Sequence, residues 1–222
     1  MPEETTDSAA VPREMTVAGW LFNPFIRVAG GQALAVGLTV IVASGLAAAA
    51  GGLHFDGLLD AHVGAIRLRL WVPVAEGLLN WLVITTLLGL ASLLFAPPTV
   101  RLVDIAGTQA LARWPLLVPA LVCALPWVRR AVAASAGDGE GTALPVWGIV
   151  AASSMVIGGV WMIWLMWKAF AVVFNMRGGP AFAVFAAAVV IGEVVTKLLV
   201  LGMLNRMAIA ATTVGTGTLA GG

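Results

Sequence analysis

Charge is what this sequence has least of: Asp, Glu, Lys and Arg together make up 10% of its 222 residues, while 60% are apolar. Soluble domains average about 25% charged and 45–50% apolar residues. A mean hydropathy of +1.00 therefore excludes an ordinary water-soluble fold, which could not hide so much apolar surface. Nor is there a surplus of one sign, since 12 basic residues face 11 acidic ones. The basic residues are scattered singly or in pairs, so no polyanion field forms and nucleic acid is excluded as a partner. Cysteine occurs once, at Cys123 inside an apolar stretch, which rules out an internal disulfide and a cysteine metal cluster. The familiar catalytic signatures are missing too: a phosphate-binding glycine loop followed by Lys-Ser/Thr, a serine nucleophile elbow and a zinc-protease His pair. No repeat period of 20–50 residues emerges. The N-terminus lacks the basic start and short apolar core of a signal peptide, so the first apolar helix is expected to stay in the mature chain.

What the chain does have is long apolar runs. Five of them, at about residues 33–50, 77–95, 111–128, 146–167 and 181–204, approach or exceed the length needed to cross a hydrocarbon core. The expected architecture is an all-α integral membrane bundle of five spanning helices over 15–206. A polar tail (1–14) precedes it and a small-residue tail (207–222) follows. The segment Gly19-Trp20-Leu21-Phe22-Asn23-Pro24-Phe25, next to Arg27, fits a lead-in lying at headgroup level. Pro115, Pro119 and Pro126 predict a kinked third helix, packed where neighbours can satisfy the freed carbonyls. Small residues four apart offer close-packing stripes: Ser44, Ala48 and Gly52; Ser154 and Gly158; Ala188, Gly192 and Thr196. The side bearing the N-terminus holds Arg13, Arg27, Arg101, Arg113, Lys168 and Arg177, against Arg67, Arg69, Arg129, Arg130 and Arg206 opposite. This slight excess favours a cytoplasmic N-terminus.

The first loop carries His54, Asp56, Asp60 and His62 within nine residues, a composition that raises metal binding. On a helix, though, His62 lies about 120° from Asp56. On a strand, His54 and His62 stand about 26 Å apart. Neither geometry closes a site unless the chain folds back. A β-hairpin reading sorts the side chains better: residues 58–63 pair with 66–71 around Gly64-Ala65, placing Asp60 opposite Arg69. In the fifth span, Glu193 and Lys197 are spaced for an intrahelical ion pair. Either charge alone at mid-membrane costs about 2.5–3.5 kcal/mol, so both should face the bundle, as a structural clasp or as part of an ion path. Trp161, Trp164 and Trp167 run into Lys168 as an interfacial helix end would. The acidic loop Asp138-Gly139-Glu140-Gly141 lacks enough ligands at calcium-loop spacing.

Four strings resemble the Yip-one domain family, whose eukaryotic members interact with Rab-type (Ypt) GTPases. They are the aromatic lead-in from Trp20 to Phe25, His54-Phe55-Asp56-Gly57, the run from Val103-Asp104-Ile105-Ala106-Gly107 through Arg113-Trp114-Pro115, and Trp164 to Phe170. The loop and third-span strings are closest in kind to bacterial members. The resemblance implies a five-span bundle with a cytoplasmic N-terminus. For eukaryotic members it also implies vesicle traffic through a cytosolic N-terminal region, which is short here. The Arg-rich, Lys-poor, Ala-rich composition points to a high-GC bacterium, without Rab traffic, and the family offers no catalytic residues to transfer.

The expected function is therefore a non-enzymatic multispan protein of a bacterial cytoplasmic membrane that organises the membrane or recruits partners. The alternatives are a small transporter or ion path using Glu193, then an intramembrane enzyme using Asp104 or the loop from His54 to His62. The polar positions of interest are His54, Asp56, Asp60, His62, Asp104, Arg113, Glu193 and Lys197. No catalytic, metal or cofactor-binding residue is assigned and no cofactor is expected. The expected partners are the lipid bilayer, other membrane proteins and a second copy of the chain.

Overall fold

A computed structural model describes residues 15–63, 69–137 and 146–217. Five segments are long and apolar enough to cross a membrane, as in a multi-pass membrane protein: Gly30–Gly51, Trp71–Phe95, Leu102–Ala124, Val146–Phe174 and Gly178–Met207. The polar tail 1–14 and the acidic loop at 138–141 lie outside the described residues.

A short helix α1 (Val17–Phe22) comes first, its Thr16 side chain accepting the Gly19 amide. Its last carbonyls have no intrahelical donor. The indoles of Trp161 and Trp164 supply the bonds, donating to the Leu21 and Phe22 carbonyls at 3.0 and 3.2 Å. Those tryptophans therefore anchor the lead-in segment. Trp167 instead packs among Phe170, Phe182 and Phe185, and Lys168 stands 4.6 Å from the Trp164 ring.

Helix α2 (Gly30–Gly51) ends where Gly52 adopts a left-handed conformation and returns its amide to Ala48. Its small-residue face, Gly30, Ala33 and Gly37, lies against Gly107 and Ala110 of α4 (Leu102–Leu111). A Cβ at Gly37 would land on the Ala110–Leu111 backbone, and one at Gly107 on the Gly30 carbonyl. Backbones can approach this closely only without side chains between them. The same helix meets α3 (Trp71–Phe95) at Gly45, where a Cβ would stand 2.6 Å from the Val74 Cα.

Prolines break the third crossing into pieces. After α4 comes a 3-10 turn, Trp114–Leu116, then α5 (Leu117–Ala124), whose first turn holds Pro119 without loss of an intrahelical bond. Leu125, preceding Pro126, is extended as that position favours, and Pro126 opens α6 (Pro126–Gly137). This crossing is the most enclosed of the five, 72% buried against 28–33% for the others. Neighbouring helices thus surround the backbone groups that the prolines leave free.

Helix α7 (Val146–Phe174) packs on α4 and α5, while α8 (Gly178–Gly217) leans on α3 and touches α7 much less. The helix thus continues into the 207–222 segment expected to be a tail. The main core, including Phe25, Ile84, Leu88, Met162, Phe170 and Phe174, fills the half nearer α1. Leu58 of the first loop joins this core, and Leu53 and Phe55 at the start of the loop pack with Ala48 and Ala120 in a second cluster.

That loop departs from the expected hairpin. Strand β1 (Leu53–His54) pairs antiparallel with β2 (His62–Val63), Leu53 opposite Val63 and His54 opposite His62. Residues 64–68, which include the expected turn, lie outside the described residues, and Trp71 is already helical. Asp60 faces Lys197 rather than Arg69. A second strand cannot run to residue 71, because a helix starts at Trp71 and holds Pro73 in its first turn.

Candidate functional site

Between β1 and β2 the chain runs inward as an irregular segment, residues 55–61, wedged between α3 and α8. Irregular backbone in a membrane bundle needs side chains to satisfy its amides and carbonyls. Those side chains are the polar residues of the two helices. Glu76, fully buried, accepts the Phe55 amide at 2.9 Å and faces His54 Nδ1 at 3.0 Å. One turn on, the Asn80 amide donates to the Phe55 and Gly57 carbonyls at 2.8 and 2.9 Å. From α8, Thr196 accepts the Leu58 amide at 3.2 Å and Glu193 accepts the Leu59 amide at 2.8 Å. Gly57 sits directly against the Glu193 carboxylate, which a Cβ there would displace.

Lys197 closes the arrangement from the same helix. Its ammonium lies 2.9 Å from Asp60 and 3.3 Å from Glu193, so the expected Glu193–Lys197 pair exists and carries a third member. On the outer side, His62 Nδ1 is 3.1 Å from Asp56, and the His54 and His62 rings stack with centroids 5.3 Å apart. The loop does fold back, and ligand atoms of Asp56, Asp60 and His62 come within 4.8 Å of one another. The positive charge beside Asp60 is already supplied by Lys197, so this trio is a paired surface cluster.

Two of the sequence candidates make no bond to the loop. Asp104 is bound by Arg101 through two bonds of 2.9 and 3.0 Å at the start of α4, apart from the loop. This contact holds the exposed Arg101 guanidinium above its ordinary pKa, first through the hydrogen bond and then through charge attraction. Arg113 sits at the midpoint of the 23-residue segment Leu102–Ala124, only 3% exposed, so it belongs to no loop and the two-sided charge tally becomes even. Its Nε and Nη2 have no hydrogen-bond partner among the described residues, nor do Asn80 Oδ1 and Ser44 Oγ.

No family model, curated protein or solved structure matches this chain. The site therefore has to be read from its own geometry. A cavity of about 260 Å³ lies between the loop and α7, lined by Asp60, Asn80 and Arg113 together with apolar groups of both elements. A second gap of about 10 Å³, the room of roughly one water, lies where Arg113 meets Ser44.

Sequence reasoning missed Glu76 and Asn80. The available signal was a carboxylate and an amide four residues apart ahead of an apolar run, one face of a helix. Placing the second span at 77–95 left Glu76 just outside it.

Proposed function

We propose that this chain is a non-enzymatic multi-pass protein of a bacterial cytoplasmic membrane, of the Yip-one type, which organises the bilayer or recruits partners within it. The supporting observation is that four intramembrane polar side chains are engaged in holding a loop. Glu76, Asn80, Glu193 and Thr196 each bond its main chain. A relay carboxylate must exchange partners as ions pass, whereas Glu193 is tied to both the Leu59 amide and Lys197. The loop instead offers a fixed outer surface with Leu59, Asp60 and His62 accessible, which suits recognition.

The N-terminus lies in the cytoplasm in this reading. Reporter fusions after Gly31, Arg69, Pro98, Gly139 and Gly178 should alternate in compartment, starting with cytoplasmic. The third junction, Pro98, lies in the connection before α4. The functional test has two arms. A photoreactive residue at position 59 in the native membrane should give discrete protein or lipid adducts, and proteoliposomes of the pure chain should show no ion flux. Flux abolished by Glu193→Gln would replace this reading with the ion-path one. Hydrolysis of a lipid or peptide, lost on substituting His54 or Asp104, would replace it with the enzyme.

A further inference from the structure

We propose that Asp56, Asp60 and His62 form a binding site for a divalent transition-metal ion of the zinc type. This goes beyond the recruiting role and does not depend on it. The first observation is convergence. A regular strand or helix would keep these side chains apart, but the chain folds back between β1 and β2, and one ligand atom from each residue then lies within 4.8 Å of the other two. Zinc bonds to imidazole nitrogen and carboxylate oxygen are about 2.0–2.2 Å long, which sets neighbouring ligand atoms about 3–3.5 Å apart around the ion. His62 Nδ1 and Asp56 Oδ1 are already 3.1 Å apart. Rotation of the Asp60 side chain closes the rest of the gap. All three residues belong to the connection between the first two spans, so an ion reaches them from water.

The second observation is the placing of the imidazoles. The chain has two histidines, and both are here. His54 is the direct antiparallel partner of His62, and its ring stacks on the His62 ring with centroids 5.3 Å apart and planes 12° from parallel. Its own Nδ1 faces the fully buried Glu76 at 3.0 Å. Glu76 thus fixes the His54 ring, and the stack fixes His62 in turn. Outer groups that hold an imidazole in one orientation are what make it an effective metal ligand. The nitrogen also selects the ion, because calcium takes about six to eight oxygen ligands and magnesium likewise prefers oxygen, whereas imidazole suits zinc.

The third observation is electrostatic. Among the described residues Asp56 bonds through Oδ1 alone, to His62, and Asp60 through Oδ2 alone, to Lys197, so each carboxylate keeps an open oxygen. Lys197 also stands 3.3 Å from Glu193. Asp56, Asp60 and Glu193 therefore bring three formal negative charges to one ammonium, with His62 neutral when it ligates. A divalent ion held by the trio offsets that surplus. The Lys197 ammonium is half exposed on a flexible stem, and it keeps Glu193 as its partner when the ion draws on Asp60.

The test uses the full chain, without a histidine tag, in uncharged detergent after treatment with a chelator. Zinc, calcium and magnesium chlorides are titrated separately by calorimetry, and bound ions are counted by native mass spectrometry. One zinc per chain is expected, with calcium and magnesium at least tenfold weaker. His62→Gln and Asp56→Asn should each weaken zinc binding at least tenfold, while Asp104→Asn, at the start of α4, should leave it unchanged. The side chains of His62 and Asp56 bond each other and hold no main chain, so both variants should keep the fold. A measurement on the unaltered chain stands beside them. The His62 side chain is 51% exposed and should react with diethyl pyrocarbonate, and saturating zinc should block that reaction. Absence of zinc binding, zinc binding that survives both variants, or modification of His62 at the same rate with zinc bound overturns the proposal. Calcium binding as tight as zinc and untouched by His62→Gln overturns it too, since the trio would then be an unselective acidic patch.

Discussion

The amide of Leu59 donates to Oε2 of Glu193 at 2.8 Å, joining positions 134 residues apart. Through this bond the last span holds the first loop, and the charge that looked like half of an intrahelical pair serves main chain as well. Glu193→Gln keeps an acceptor for the amide and should lower stability by less than about 1 kcal/mol. Glu193→Ala leaves the amide without it and should cost about 1–3 kcal/mol. Thermal unfolding of the two variants in detergent measures the difference. Equal Tm values would mean that the acceptor is irrelevant and only the charge counts.

Much of the bundle was legible because hydropathy reports directly on what a helix can leave in contact with lipid. The positions of apolar runs, the prolines of the third crossing and the Glu193–Lys197 spacing all act locally along the chain. The loop's partners do not. Thr196 reaches Leu58 and Asn80 reaches Gly57 through packing that no short sequence window encodes. Arg113 illustrates the limit: sequence places it at the start of a span expected from residue 111, whereas the crossing begins nine residues before that, at Leu102, and leaves Arg113 in its middle.

The buried pair of Glu76 and His54 is the second tie on the loop. With Glu76 fully buried, Glu76→Ala would strand both the Phe55 amide and the imidazole, at a cost of roughly 3 kcal/mol. Glu76→Gln can accept from the amide and donate to the ring, and should cost far less. A double-mutant cycle of Glu76→Ala with His54→Ala should return a coupling of about 0.5–3 kcal/mol. Strict additivity would show that the two side chains are neighbours without interacting.

The strand pairing makes a covalent prediction. His54 and His62 are direct antiparallel partners, whose Cβ atoms lie about 4.5–5.5 Å apart in such a ladder. The His54→Cys, His62→Cys double variant should therefore form a disulfide under mild oxidation. Asp60→Cys with Arg69→Cys should not, because Asp60 turns toward Lys197. Efficient crosslinking of the second pair and not the first would restore the hairpin centred on Gly64-Ala65. Cys123, buried against α2 at Gly51, should stay out of either reaction.

The α2–α4 seam predicts opposite outcomes for two glycines in one helix. Both positions gain helix propensity from alanine, about 1 kcal/mol at Gly37 in the helix interior and less at Gly31 in the first turn, so propensity alone makes both substitutions favourable. Packing separates them. At Gly37 the added methyl would meet the Ala110–Leu111 backbone, which cannot rotate aside as a side chain could, so the helices must part. Overpacking of this kind costs about 1–3 kcal/mol, enough to outweigh the propensity gain. At Gly31 no atom lies within 4 Å of the new methyl, and nothing opposes the gain. Gly37→Ala should therefore lower Tm and Gly31→Ala should hold or raise it, both read by thermal unfolding of the detergent-solubilised chain. Equal Tm values for the two variants would mean that α2 and α4 do not approach at Gly37, and the close seam would have to be abandoned.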